Sequence, residues 1–302
     1  MLVVFSISGK GFAHFFRLKV RIPAMKILII DRDELANQML TSRLEADDHE
    51  VVSETVKNDG LERAGKDHFD IVFVDPSPMK DARVMALNIR RSATNYPYIM
   101  FMTAEEETDF SDVMQMGCND YLHKPVDQSD LSSKVANAQR LANLFDRLGD
   151  TTEDFPSAGG VISKSAFNQL CLSAMERGGR YNELAFVLAI KIENFKEIKD
   201  LDGNYNADFC VSKLAHHMVR LRRQSDIIGQ TGVNEYSILL QRTQNNQEAK
   251  DAAQRFAATF DELDDFLPRE GSEINIRITL THLPTGALHF DHLLEKKIKY
   301  PQ

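Results

Sequence analysis

Cysteine is scarce. The chain of 302 residues has three, Cys118, Cys171 and Cys210, far apart and without metal-ligand spacing. This argues against a disulfide framework or cysteine-ligated metal, and suggests a reducing, cytoplasmic setting. No apolar run approaches the ~20 residues that a membrane helix needs, so insertion into a bilayer is not expected. No glycine-rich phosphate loop or Ser/His/Asp arrangement stands out, and no helix-turn-helix follows the first half. Acid is missing from residues 1–24, which hold Lys10, Arg17, Lys19 and Arg21. The rest therefore carries 32 basic against 45 acidic residues, within a net charge of −9. An acidic body argues against broad nucleic-acid binding. Met25 opens "MKILIID" like a natural start, so residues 1–24 read as a disordered N-terminal extension.

What is present is ordinary for a soluble globular protein, with 43% hydrophobic and 27% charged residues, and the length suits two domains. From Lys26 short apolar runs alternate with amphipathic segments. "KILII", "IVFVD" and "YIMFMT" read as buried strands, and "DYLHKP" ends another. This alternation predicts a doubly wound parallel sheet with its ligand site at the carboxyl ends of the strands. Asp31, Asp75, Thr103 and Lys124 all fall at those ends. Carboxylates there suit a divalent cation; a hydroxyl and an ammonium suit phosphoryl oxygens.

Residues 25–142 resemble the receiver domain of bacterial response regulators, a flavodoxin-like fold. The resemblance places the phospho-accepting aspartate at Asp75 in "DIVFVDPSPM". It places the switch residues at Thr103 and Tyr121, and the phosphate-pairing lysine at Lys124. It implies Mg²⁺ and a partner that is a histidine kinase or a phosphotransfer protein. The family's acidic pair is here Asp31-Arg32-Asp33, with arginine in the second acidic position. Asp31 and Asp75 remain as metal ligands. Asp33 is a possible compensating ligand, and Arg32 a possible partner of Asp75 that imitates the neutralised state. Phosphorylation at Asp75 and service as a docking or dimerisation platform both stay open.

Leu131, Val135, Ala138, Leu141, Phe145 and Leu148 recur at spacings of three and four, predicting one long amphipathic helix. Its stripe is expected to pack on its own domain or on a second subunit, and a homodimer is expected. Residues 143–159 read as helical extension and linker, ending in "GDTTEDFPSAGG".

Residues 160–302 mix apolar strands, helices and a hairpin whose turn lies near Gly232, an α+β pattern. Order and spacing resemble the GGDEF domain of diguanylate cyclases, a nucleotidyl-cyclase-like fold that joins two GTP molecules into cyclic di-GMP. "KIENFKEIKDLDGNYNADF" lines up with "DIDxFKxINDxxGHxxGD", and "GVNEY" (Gly232, Val233, Asn234, Glu235, Tyr236) with the signature. The resemblance assigns metal carboxylates to the positions of Lys191 and Asn234. A lysine cannot ligate Mg²⁺, and an asparagine is a weak neutral ligand. Lys199 replaces a guanine-contacting asparagine, while Asp208 keeps its aspartate counterpart. The family's C-terminal helix is not recognisable. These losses predict a domain without cyclase activity. Arg223 and Asp226 form R-x-x-D at the position of the family's product-binding site, with Arg222 adjacent. The expectation is a cyclic di-GMP receptor that acts on an unknown protein partner. The alternatives are a ligand-independent docking protein, and a GTP-binding module in which Lys191 replaces part of the metal's charge.

Overall fold

The computed structural model describes residues 24–104, 110–157, 159–181, 183–263 and 273–297. The N-terminal extension lies almost wholly outside them. The first half runs β1 (Lys26–Ile30), α1 (Glu34–Glu45), β2 (Glu50–Glu54), α2 (Lys57–Lys66), β3 (Ile71–Val74), α3 (Ala82–Ser92), β4 (Tyr98–Thr103), α4 (Phe110–Gln115), β5 (Asp120–His123) and α5 (Gln128–Gly149). The five strands form a parallel sheet in the order β2-β1-β3-β4-β5. β1, β3 and β4 are apolar along almost their whole length because both faces are covered. Leu28, Ile30, Val72, Val74, Ile99 and Phe101 share a core with Ala82, Met85, Ala86 and Ile89 of α3. β2 escaped the sequence reading. It is a half-exposed edge strand, "EVVSE", and lacks the continuous apolar run of its neighbours.

The second half runs β6 (Val161–Ile162), α6 (Lys164–Tyr181), β7 (Leu184–Ile192), α7 (Phe195–Asp202), α8 (Asn204–Leu221), β8 (Ile227–Gly232), β9 (Glu235–Thr243), α9 (Asn246–Glu262), β10 (Glu273–Leu283) and β11 (Leu288–Lys297). Its mixed sheet has the order β11-β10-β7-β9-β8-β6. The α+β architecture is as expected, with the hairpin turn between Gly232 and Glu235. One face of this sheet packs on α8 and α9 through Leu188, Ile190, Leu214, Met218, Ile238 and Phe256.

The other face meets the first half. Leu131, Val135, Ala138, Leu141, Leu144 and Leu148 of α5 belong to one buried cluster that includes Ile27, Phe73 and Met100. The same cluster takes in Phe167 and Cys171 of α6 and Val187, Leu239 and Leu283 of the second sheet. Each fully buried aliphatic side chain there contributes about 1.5–3 kcal/mol relative to exposure. The apolar stripe of α5 is therefore covered within the chain, so it is not a free surface for a second subunit. Each half thus keeps a core of its own on one face of its sheet, and this third cluster is shared by both.

A second contact is polar. Between β10 and β11 three successive carbonyls are captured by side chains of the first half. Asn119 Nδ2 donates to Pro284 O at 2.9 Å, Tyr98 Oη to Thr285 O at 2.9 Å, and Arg140 Nη1 to Gly286 O at 2.6 Å. Buried carbonyls are thereby satisfied across the joint.

Candidate functional site

The parallel sheet delivers its polar residues to one end. β1 leads into Asp31 and β3 into Asp75, β4 ends on Thr103, and β5 leads into Lys124. Lys124 Nζ stands 2.5 Å from Asp31 Oδ2 and 2.5 Å from Asp75 Oδ2. Asp31 is 2% exposed, and the Lys124 ammonium is the partner of its buried Oδ2. Asp75 Oδ1 accepts from the Ser77 N–H at 2.8 Å. Burial alone raises the Asp75 carboxyl, but Lys124 and the Ser77 hydrogen bonds outweigh it and hold it below its ordinary value. Burial lowers Lys124, and its two carboxylates more than restore it. Thr103 is buried at the end of β4, and the Lys124 N–H donates to its carbonyl at 2.7 Å. Tyr121 stands half-buried on β5, edge-on to His123, with Lys134 Nζ 4.8 Å from its ring centre.

Two expectations about the acidic segment are corrected. Arg32 does not pair with Asp75; its Nη2 donates to Ser77 O at 2.7 Å. Asp33 is not placed to compensate as a metal ligand, because its Oδ1 accepts from the Leu35 and Ala36 N–H groups and caps α1. Two carboxylates converging on one cationic atom suit Mg²⁺, which binds through one or two carboxylates and keeps water or phosphate oxygens on its other positions. Asp31 and Asp75 are the residues that would hold it.

The signature hairpin has the opposite character. Lys191, on β7, lies directly across from Glu235 on β9, and its Nζ pairs with Glu193 at 3.1 Å. Asn234 Nδ2 donates to Ile192 O at 2.6 Å, which ties the turn to the end of β7. Glu235 is 4% exposed and fully engaged: Thr231 Oγ1 donates to Oε1 at 2.8 Å, and Arg147 Nη1 to Oε2 at 2.8 Å. Arg147 comes from α5. The Glu235 carboxylate thus faces a cation from the first half, while Lys191, across the ladder from it, is paired with Glu193. This donor set does not fit a divalent metal, and no group of three acidic, His or Cys side chains able to hold one occurs among the described residues. Lys199 and Asp208 are exposed on α7 and α8, and Gly232 ends β8.

Arg223 and Asp226 line a cavity of about 510 Å³ with Ser225, Arg242, Glu248 and Ala252. Asp226 is 6% exposed, and its Oδ2 accepts from the Arg223 N–H at 3.0 Å, which shapes the turn that carries Arg223. Arg223 Nη1 pairs with Glu248 of α9 at 2.6 Å. Arg222 does not line the cavity: its Nη1 reaches Asp226 O at 3.3 Å and its guanidinium lies beside Gly160. The sequence reading missed Arg147, Arg242 and Glu248. None has a motif; each is brought in by helix packing or strand register.

Residues 27–136 match the response regulator receiver domain family, and residues 157–296 match the family described as diguanylate cyclase, GGDEF domain. Protein PilH of Pseudomonas aeruginosa is 31% identical over 36% of this chain and 93% of its own length. The alkaline phosphatase synthesis transcriptional regulatory protein PhoP of Bacillus subtilis is 24% identical over 39% of this chain and 50% of its own length. The chain thus spans about half of that relative. Among solved structures, a two-component response regulator from Clostridium difficile is 26% identical over 38% of this chain and 96% of its own, with a TM-score of 0.35. The chain belongs to the response regulator family, with an N-terminal receiver domain and a C-terminal GGDEF domain. No described helix is long and apolar enough to cross a membrane.

Proposed function

We propose that this response regulator accepts a phosphoryl group on Asp75 and that its GGDEF domain does not cyclise GTP but binds cyclic di-GMP at Arg223 and Asp226. The observation that carries the loss of catalysis is the state of the signature. Two-metal catalysis needs carboxylates to hold the ions that neutralise a triphosphate. Here an ammonium and a carboxamide stand at the two ligand positions, and Arg147 saturates Glu235. No cyclic di-GMP is expected from GTP with Mg²⁺ or Mn²⁺; turnover would refute the reading.

The receptor reading is supported by the cavity at the R-x-x-D turn, where a half-exposed guanidinium is available to phosphate or to the Hoogsteen edge of guanine. Calorimetric titration of the intact protein with cyclic di-GMP should show micromolar binding, weakened roughly ten- to hundredfold in Arg223→Ala, the loss of one charge-assisted contact. The receiver reading is supported by Asp31, Asp75 and Lys124 meeting at one point. Phosphoryl uptake from acetyl phosphate with Mg²⁺ should disappear in Asp75→Asn, and retained uptake would move the acceptor elsewhere. A histidine kinase or phosphotransfer protein would be the natural donor, and homodimerisation and a cytoplasmic location belong to the same proposal.

One observation favours the docking alternative: Arg223 is already paired with Glu248, and the Asp226 carboxylate accepts the Arg223 backbone N–H. An intact protein that binds no nucleotide would select that alternative.

A further inference from the structure

The wall of the cavity beside Arg223 includes a second arginine, Arg242, and the backbone is distorted where it is carried. On the β7–β9 ladder Leu184 pairs with Thr243 and Ala185 with Gln241, so Arg242 is an extra residue on β9, a β-bulge. Its φ is +56°, a conformation that is unfavourable for any residue with a Cβ. Bulges bend a strand and re-aim one side chain out of the ladder, and strained residues persist where their surroundings enforce them. Here the bulge places Arg242 on the cavity wall with Arg223, Ser225, Asp226 and Glu248. The Arg242 side chain is 76% exposed, and Glu183 is 3.9 Å away, at the outer limit of an ion pair. Glu183 also stands 3.3 Å from Arg177.

The other arginine is held differently. Glu248 Oε1 pairs with Arg223, while its Oε2 accepts from the Gln244 N–H at 2.9 Å at the start of α9. The Gln244 N–H, and next the Arg223 guanidinium, keep this carboxyl below its ordinary value, so it is ionised near neutrality. An anion that reaches Arg223 must displace or repel Glu248.

We propose that Arg242 is a second phosphate-contacting residue of this site and that Glu248 is its displaceable counter-ion. The ligand class is then a compact molecule with two phosphate groups, one for each guanidinium. This rests on the cyclic di-GMP reading for the identity of the ligand, but not for the existence of the two-arginine site. Glu248 sets a threshold: a singly charged anion gains one arginine and meets one carboxylate, whereas a bis-phosphate gains two.

The experiment uses the full chain and three variants, with cyclic di-GMP and inorganic pyrophosphate as separate probes, read by titration and by thermal shift. In Arg242→Gly the guanidinium is lost while φ becomes favourable, so the thermal midpoint should hold or rise as cyclic di-GMP affinity falls about tenfold. In Glu248→Gln the Gln244 contact is preserved and the charge removed, and affinity should rise about three- to tenfold. Arg223→Ala should weaken binding of both probes by about ten- to hundredfold. Wild-type affinity in Arg242→Gly would overturn the role of Arg242, and unchanged affinity in Glu248→Gln would overturn that of the counter-ion. Stabilisation by pyrophosphate but not by cyclic di-GMP would keep the two-arginine site and dismiss the dinucleotide. No response to either probe in the wild type and in Glu248→Gln would overturn both.

Discussion

Replacing Gly286 with alanine should destabilise the whole chain by roughly 3 kcal/mol, and both domains should lose stability in one transition. The turn between β10 and β11 holds Gly286 at φ +71°. A Cβ there would sit 2.1 Å from Asn137 O and 3.1 Å from Leu141 Cβ, both on α5 of the receiver. No rotamer relieves the clash, because the obstruction is backbone. Two costs add: about 1–2 kcal/mol for a side chain in the left-handed region, and about 1–3 kcal/mol for overpacking. Gly159 isolates the first. Its φ is +60° and nothing lies within 4 Å of an added Cβ. Gly159→Ala should therefore cost about 1–2 kcal/mol, and the excess in Gly286→Ala measures the joint. Urea titrations followed by two probes, one in each sheet, check it. Equal losses in the two variants would mean that the turn is not pressed on α5. Separate transitions for the two sheets would mean that the shared core does not unite them.

Cooperativity across the joint follows from how the second sheet is covered. One face of the sheet, with Val187, Leu239 and Leu283, is covered by α5 and α6. The last helix of the first half is thus part of the structural cover of the second sheet, and Arg147 extends that cover to Glu235. A displacement of α5 would move the hairpin that carries Glu235, and α5 begins four residues after Lys124. That arrangement gives the two proposed inputs a common element to bias, which coupling between sites requires.

The sequence disclosed these features unevenly, for physical reasons. Asp31, Asp75, Thr103 and Lys124 were legible because a parallel sheet puts strand ends at one edge, so strand positions alone bring them together. The periodicity of α5 showed that one face is buried. It did not show against what, because Leu131 and Leu148 look the same whether they meet a receiver, a second sheet or a second chain. Arg32 was expected near Asp75, yet Ser77 O attracts it, a contact settled by loop geometry. Arg223 and Asp226 stood out by spacing. Glu248, from the following helix, and Arg242, on a one-residue bulge, depend on ladder register, which has no local pattern in "LLQRTQ".

Mild acid should weaken the protein through His282. This residue is the last but one of β10, in its buried end, and closes the docking turn. Its Nδ1 lies 2.7 Å from Thr285 Oγ1, the Gly286 N–H donates to its carbonyl at 2.9 Å, and the Phe186 ring centre is 5.0 Å away. Burial, and secondarily the nearby His289, push its pKa down from 6.5 to about 4. The unfolded chain takes up this proton below about pH 6.5, and the folded chain only below about pH 4. Between those values unfolding binds a proton, so stability is full above about 6.5 and falls as pH drops towards 4. The total is on the order of 3 kcal/mol, of which about 2 kcal/mol is already lost near pH 5. Urea unfolding of the wild type and of His282→Gln near pH 7 and near pH 5 tests this. The variant should lose about 2 kcal/mol less between the two values. It will keep some dependence, because burial also holds His49 and His289 below their ordinary values. Identical losses in the two proteins would mean that His282 accepts its proton in the folded state without breaking the turn. The acid sensitivity of the joint would then belong to other groups.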